Sequence, residues 1–404
     1  MSLFSIAERF AALDHSIPEL NSDRCLHRQD RFSGCQACFG ICPVSAITPG
    51  QPPSLDPKKC AKCLACLNVC PVGAYTADDE VTTLLAAAKH LEGGPLELLC
   101  ERNPRPNLGV SATHTGIRIK GCLAGLGSGA YLALAALGQE HILVRTDACS
   151  ACEWATLPVE VQAQVSHASL LLEVWGKDNT LACMPVLESP VERPFWEAAN
   201  PPLSRRDIFQ MALRQGRETL ARAVDEWATT PAERQPGRDR LRMQNALKHM
   251  PVSQPIRPGS LKGMDFAWVS VSEACTACGI CARICPTSAL QFGKYAGETA
   301  FQLTFQAAKC VGCDMCVHVC GPAAINIDHA PTAARIFSQE NVIIRAGALI
   351  KCKKCGTPTV ALPGVELCPP CEYRRTHPFG SMLPPGLKNI RPPSAQEKPQ
   401  EKLQ

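Results

Sequence analysis

The apolar positions change their period several times along the 404-residue chain, and each change marks a different kind of element. Val81 to Leu91 repeats at three and four residues, as a helix with one buried stripe does. Short apolar runs at Pro95–Leu99, Gly116–Lys120, His141–Arg145 and Thr180–Ala182 then read as strands, with helices over Ser128–Leu137 and about Leu157–Val174 between them. Strands that alternate with helices predict a small parallel α/β sheet. Further on, Ser204 caps an amphipathic pattern over Arg205–Ala228, carried by Ile208, Phe209, Leu213, Leu220 and Val224, and a short charge-rich helix follows at Arg238–His249. Ala289–Phe305 alternates apolar and polar residues around Gly297, which predicts a β-hairpin, and Asn341–Ile344 reads as a strand. The stretch holding Pro49, Pro52, Pro53 and Pro57 predicts an irregular loop.

Cysteine changes the picture. The chain has 25 of them, too many for packing alone, so they serve disulfides or metals. The first residues show no basic stretch followed by an apolar one, and no apolar run approaches the roughly 18 residues of a membrane span. A reducing cytoplasm and metal ligation are therefore the expectation.

The spacing is specific. Cys275, Cys278, Cys281 and Cys285 are followed by Pro286, and Cys310, Cys313, Cys316 and Cys320 by Gly321 and Pro322. Two such runs at intervals of 3, 3 and 4 follow the ligand pattern in which the fourth thiolate of each run serves the other cluster. On that rule Cys275, Cys278, Cys281 and Cys320 hold one 4Fe-4S cluster, and Cys285, Cys310, Cys313 and Cys316 hold its neighbour. A pair of zinc sites is the plain alternative, although zinc sites normally lack this crossed spacing.

The same pattern recurs near the start. Cys60, Cys63, Cys66 and Cys70 form a complete run before Pro71, while Cys35, Cys38 and Cys42 precede it with one member missing. Cys25 is the substitute, giving Cys25, Cys35, Cys38 and Cys70 for one cluster and Cys42, Cys60, Cys63 and Cys66 for the next. A 3Fe-4S cluster with Cys25 free is the alternative. Both halves resemble bacterial-type two-cluster ferredoxins, and the resemblance implies low-potential one-electron carriers. Apolar residues among the thiols, such as Ile41, Leu64, Val69, Ile280, Ile284 and Val319, would exclude water from the clusters.

Five thiols belong to the middle of the chain. Cys100, Cys122, Cys149 and Cys183 each fall just after a predicted strand, and Cys152 lies three residues beyond Cys149. The carboxyl ends of parallel strands form one crevice, so these thiols are expected to converge there. Plain packing of one or two of them is the competing reading. The simplest metal site is a 2Fe-2S cluster on Cys100, Cys122, Cys149 and Cys152, with Cys183 spare or alternative. The order of a strand ending in cysteine, an Ala- and Leu-rich helix and then Cys149-Ser-Ala-Cys152 resembles the small iron-sulfur subunit that links hydrogenase to heterodisulfide reductase in methanogens. That resemblance implies an electron-relay role and a 2Fe-2S centre. Gly125-Leu-Gly127-Ser-Gly129 is alternatively a phosphate loop, though it lacks the dinucleotide spacing; otherwise its glycines let the chain pass close to the metal site.

Near the C-terminus Cys352, Cys355, Cys368 and Cys371 form two knuckles around a turn at Pro363-Gly364. They resemble a zinc ribbon, with rubredoxin-type iron as the alternative. Basic residues surround them, but a formal net charge of +4 gives little field for nucleic acid.

The expected fold is α+β and multidomain. Residues 1–80 and 263–335 are ferredoxin modules flanking a parallel α/β domain at 81–191, with a helical linker at 192–262, the ribbon at 336–384 and a disordered tail at 385–404. The expected function is a polyferredoxin-like electron-transfer protein, with four 4Fe-4S clusters, one 2Fe-2S centre and one zinc, serving subunits of a larger redox enzyme. The competing classes are a reductase with its substrate site in the central α/β domain and a cluster-containing regulatory or assembly factor. The 192–262 stretch is either a linker or a docking surface for a partner subunit.

Overall fold

The computed structural model describes residues 17–91, 93–201, 234–251, 256–257, 259–337, 341–361 and 364–377. The amphipathic stretch Arg205–Ala228 and the tail beyond residue 384 lie outside these residues.

The first module contains strands β1 (Glu19–Leu20), β2 (Ile47–Thr48), β3 (Ser54–Leu55) and β4 (Tyr75–Thr76) and helices α1 (Leu26–Gln29), α2 (Ala37–Ile41) and α3 (Ala65–Val69). β1 pairs with β4 and β2 with β3, all antiparallel. The proline-bearing stretch expected to be irregular is therefore a short hairpin. Pro49, Pro52 and Pro53 lie in the connecting turn and Pro57 beyond β3, so none removes a ladder donor.

The central unit runs from α4 (Val81–Lys89) through β5 (Leu96–Leu99), β6 (Leu108–Gly109), β7 (Thr115–Arg118), α5 (Ser128–Ala136), β8 (Ile142–Arg145), α6 (Leu157–Val174), β9 (Leu181–Met184), β10 (Val191–Glu192) and β11 (Phe195–Glu197) to α7 (Arg238–His249). Five strands form one parallel sheet in the order β11-β7-β5-β8-β9. The expected four strands are present, and β11 adds a fifth, a three-residue strand directly after Pro194 that is too short to show a period. In the same way α7 reads as a charged surface helix but buries Met243, Ala246 and Leu247 in the core that holds α5. α5 is apolar on every side because other elements cover it all round, as an interior helix requires.

The last part contains β12 (Trp268–Val271), α8 (Ile280–Ile284), β13 (Leu290–Tyr295), β14 (Ala300–Phe305), α9 (Met315–His318), β15 (Ile325–Asp328), α10 (Ala333–Phe337), β16 (Val342–Lys351), β17 (Pro358–Val360) and α11 (Pro369–Thr376). β12 pairs with β15 as β1 does with β4, and the predicted hairpin is β13–β14. β16 extends well beyond the predicted strand. It joins the hairpin on one side and β17 on the other, so a single sheet carries the second module into the four-cysteine knuckle.

Candidate metal centres

The cysteine runs owe their shape to a repeated backbone device. In the three complete runs the second and fourth residues after the first cysteine are left-handed: Lys62 and Leu64, Ala277 and Gly279, Gly312 and Asp314. Left-handed residues set among right-handed ones curl the peptide N–H groups into a concave nest that favours anions. A non-glycine residue there costs about 1 kcal/mol, the kind of strain that functional sites store. The incomplete run lacks this device, because α2 begins at Ala37, inside it.

Three of the four sets of thiols each line a cavity of their own. Cys25, Cys35, Cys38 and Cys70 line one cavity whose other walls include Leu20, Leu26, Val72 and Tyr75. Cys42, Cys60, Cys63 and Cys66 line a second with Ile41, Ile47 and Leu55. Cys275, Cys278, Cys281 and Cys320 line a third with Val271, Phe292 and Leu303. For the fourth, Cys285 and Cys313 stand close enough to Cys310 for their charge to raise its thiol, and Cys310, Cys313 and Cys285 do the same to Cys316. Backbone N–H groups donate to the fourth thiol of three runs from four residues on: Ala46 to Cys42 at 3.2 Å, Ala74 to Cys70 at 3.1 Å and Ala324 to Cys320 at 3.2 Å. The run with Gly321 keeps this hydrogen bond, although its helix, Met315–His318, ends one residue short of those in the other runs.

Among the described residues, only Cys352, Cys355, Cys368 and Cys371 bring three or more ligand atoms mutually within 4.8 Å. The other tetrads are too wide for one ion. They fit a group several atoms across, which argues against the zinc alternative for the ferredoxin cysteines.

Electrostatics agrees with that fit. Burial first, and then Cys63, Cys60, Cys38 and Cys42, push the Cys66 thiol far above its usual value. Burial pushes Cys310 up to about 12 against the opposing N–H of Gly312. Four crowded thiols that resist ionisation become thiolates together only when a metal supplies positive charge.

The central thiols gather at the edge the sequence indicated. Cys100 follows β5 directly, Cys122 caps a 3-10 turn after β7, and Cys149 and Cys152 follow β8. β7 and β8 flank β5 on opposite sides, so the four thiols meet where the strand order reverses, the place at which open parallel sheets bind ligands. They line a cleft of about 1330 Å³ together with Arg102, Lys120, Trp154 and Leu157. Burial, then Cys100, Cys63 and Cys149, raise Cys122 to about 12. Cys183 is different, for it lies inside β9 and not after it, and it is absent from the cleft lining. The expected strand end falls short because β9 runs on to Met184 in register with Arg145.

The phosphate-loop alternative fails on contacts. The start of α5 already holds a carboxylate, since Gly129 N–H donates to Asp239 Oδ2 at 3.0 Å and Ser128 Oγ does so at 3.3 Å. A Cβ on Gly127 or Gly129 would stand 2.2 Å from Asp239, so these glycines admit α7. Gly125 does serve close passage to a metal site, because its Cβ would stand 3.2 Å from the Cys63 carbonyl oxygen.

Several residues at this site carry no local signal. Glu97, fully buried, receives the guanidinium groups of Arg145 at 2.7 Å and Arg193 at 3.1 Å, and the Val110 N–H at 2.9 Å. Against the cost of burial these donors hold its carboxyl below the usual range. Arg145 also grips Asp147, the first residue of the 3-10 turn that carries Cys149. The Tyr131 hydroxyl is buried without a hydrogen-bond partner among the described residues, within electrostatic reach of Cys183, Cys122 and Cys149. The sequence marked β5 and β8 only as short apolar runs, buried almost throughout, and such a run does not say that its charged member is inside as well.

No described helix is long and apolar enough to cross a membrane. No curated protein matches the chain. Residues 53–76 match the family described as a 4Fe-4S binding domain, residues 274–324 match the family described as a 4Fe-4S dicluster domain, and neither match reaches the central sheet or the last four cysteines. The chain thus carries two ferredoxin-type iron-sulfur domains, joined in one mixed α/β protein to a parallel five-stranded sheet and to a four-cysteine group fit to hold a metal.

Proposed function

We propose that this protein is a polyferredoxin-like electron relay for a larger redox enzyme. Cys25, Cys35, Cys38 and Cys70 hold a first 4Fe-4S cluster, Cys42, Cys60, Cys63 and Cys66 a second, Cys275, Cys278, Cys281 and Cys320 a third, and Cys285, Cys310, Cys313 and Cys316 a fourth. Cys100, Cys122, Cys149 and Cys152 hold a 2Fe-2S centre, and the C-terminal tetrad holds zinc. Such clusters supply one-electron chemistry when bound. The protein's own contribution is to fix the thiolates, aim N–H donors at them and keep water out.

The observation that carries this reading is the convergence of sixteen thiols into four crossed tetrads, each wider than a single ion needs. For zinc at the C-terminus, Cys355 Sγ lies 3.6 Å from Cys368 Sγ. A tetrahedral site with Zn–S of about 2.3 Å has edges of about 3.8 Å. Iron, zinc and acid-labile sulfide in anaerobically purified protein, with low-temperature EPR during a reductive titration, test the reading. About eighteen irons, one zinc and both kinds of cluster signal support it, and about sixteen irons without a 2Fe-2S signal remove the central centre. Little iron with several zincs overturns it.

One observation favours a second reading, a reductase. The 1330 Å³ cleft over the central thiols exceeds what a small cluster occupies and reaches the size of sites for small molecules. A flavin or other organic group retained by the purified protein would favour that class.

A further inference from the structure

In the sequence the two ferredoxin modules stand about 200 residues apart, with the whole central sheet between them. In the fold they touch. One apolar core contains Cys25, Cys38, Cys66 and Cys70 of the first module and Val311 and Met315 of the second, with Ile284 and Cys313 at its edge. Met315 lies directly before Cys316, and Val311 directly after Cys310, so the second module presents its fourth tetrad to this core.

Three polar contacts fix which tetrad of the first module faces it. His318 Nδ1 bonds to Asp30 Oδ2 at 2.8 Å, and Asp30 lies between Cys25 and Cys35. Arg234 donates to the Cys285 carbonyl oxygen at 3.0 Å and to that of Ala282 at 2.6 Å. Its neighbour Gln235 accepts at 2.7 Å from Arg24, the residue before Cys25. Fourth-tetrad residues therefore meet first-tetrad residues.

The second tetrad shares that core through Cys66, but it also reaches the sheet. The Cβ of Leu64 lies within 3.4 Å of where a Cβ on Gly125 would stand, and Asn68 Nδ2 donates to the Ala124 carbonyl at 3.1 Å, two residues past Cys122. Cys278 of the third tetrad and its neighbour Ile280 are exposed, on a cleft they share with Cys355, Cys368 and Cys371.

We infer that the centres stand in one line that does not follow the chain, in the order third, fourth, first, second and central, with the modules coupled directly through the first and fourth. The inference rests on the four-cluster reading. It makes the exposed Cys278 end and the central cleft the two termini at which donors and acceptors engage. The central thiols are a terminus of the line, and the modules do not couple through them.

The test is EPR of dithionite-reduced double variants of the full chain, with iron counted in each. Cys60→Ser with Cys278→Ser strips the second and third clusters and leaves the first and fourth, which should still show spin–spin splitting. Cys35→Ser with Cys310→Ser leaves the second and third, which should give two uncoupled signals. Uncoupled signals from the first pair of variants, or splitting in the second, overturn the order while leaving four clusters in place. If one double variant fails to fold, the other decides by itself. An unsubstituted protein short of about sixteen irons overturns the underlying reading instead.

Discussion

The Arg145 guanidinium holds the Asp147 carboxylate in a two-bonded fork, Nε to Oδ1 at 2.8 Å and Nη2 to Oδ2 at 2.7 Å, two residues ahead of Cys149. Its third nitrogen reaches Glu97 on the neighbouring strand. The loop that presents Cys149 and Cys152 is thus anchored to the sheet through one buried cation. A planar fork of this kind adds orientation as well as energy.

Arg145→Met should therefore loosen the central tetrad before the ferredoxin tetrads. It leaves two carboxylates short of a partner, at a cost of about 3–5 kcal/mol. The expected result is a lower melting temperature and loss of about two irons, with the 4Fe-4S signals retained. Arg145→Lys should recover only part of this, since an ammonium cannot fork. Iron analysis and EPR on both variants check it, and unchanged iron in Arg145→Met would contradict the anchoring role.

Gly116 leaves room for Arg193. A Cβ at position 116 would stand 1.7 Å from Arg193 Nη1, and one at position 109 would stand 2.1 Å from its Nε. Gly116→Ala should expel the side chain and strip Glu97 of one cation, again a loss of about 3–5 kcal/mol. Gly34, with nothing within 4 Å of its would-be Cβ, provides the control, and Gly34→Ala should stay within about 0.5 kcal/mol. Thermal denaturation of the two variants decides the matter.

Asp79 ties α7 to the first module, bonding to Arg242 at 2.9 Å and Arg238 at 2.9 Å. Burial opposes its ionisation, but the two guanidinium groups prevail and hold the carboxyl below its usual value. A depressed carboxylate stabilises the fold fully above the unfolded pKa of about 3.9 and loses that contribution as pH falls through the folded value. Asp79→Asn should thus be destabilising at pH 6, with the difference from the parent shrinking as pH falls below about 4. Urea unfolding of both proteins across that range measures it. A difference that stays constant would rule out the carboxylate as the source.

The C-terminal tetrad should be separable from the rest. Lys353 N–H donates to the Glu366 carbonyl at 3.0 Å and Cys352 N–H to that of Thr357 at 3.0 Å, so the knuckle closes on itself. Cys368→Ser should remove one metal per chain, raise proteolysis between residues 352 and 377, and leave iron and the cluster signals unchanged. Loss of iron from this variant would reassign the metal.

The ferredoxin tetrads were legible because ligation is local. In the complete runs three thiols come from one loop and the fourth lies at a fixed interval, so spacing names the set, whereas Cys25 had to be supplied as the substitute in the incomplete one. The central thiols were legible for a different reason, since parallel strands end on one edge whatever their order, and Cys100, Cys122, Cys149 and Cys152 needed only approximate boundaries. Cys183 was misplaced by the same looseness, because an extra residue or two of strand moves a thiol from the crevice into the sheet. β11 was missed because three residues carry no period, and α7 was missed as part of the core since a charged helix such as Arg238–His249 shows its apolar stripe only against α5.

The sequence by itself determined that ferredoxin-type iron-sulfur domains are present, since thiolate spacing is a property of short chain segments. It also determined the parallel sheet, because alternating helix and strand leave few other ways to bury both. Only the tertiary structure decided which tetrad faces which, that the modules meet across the Val311 and Met315 contact, and that Glu97, Arg145, Arg193 and Asp147 form one buried network. Those relations join residues far apart in the chain. They are set by the packing of whole surfaces, which no local pattern of residues records.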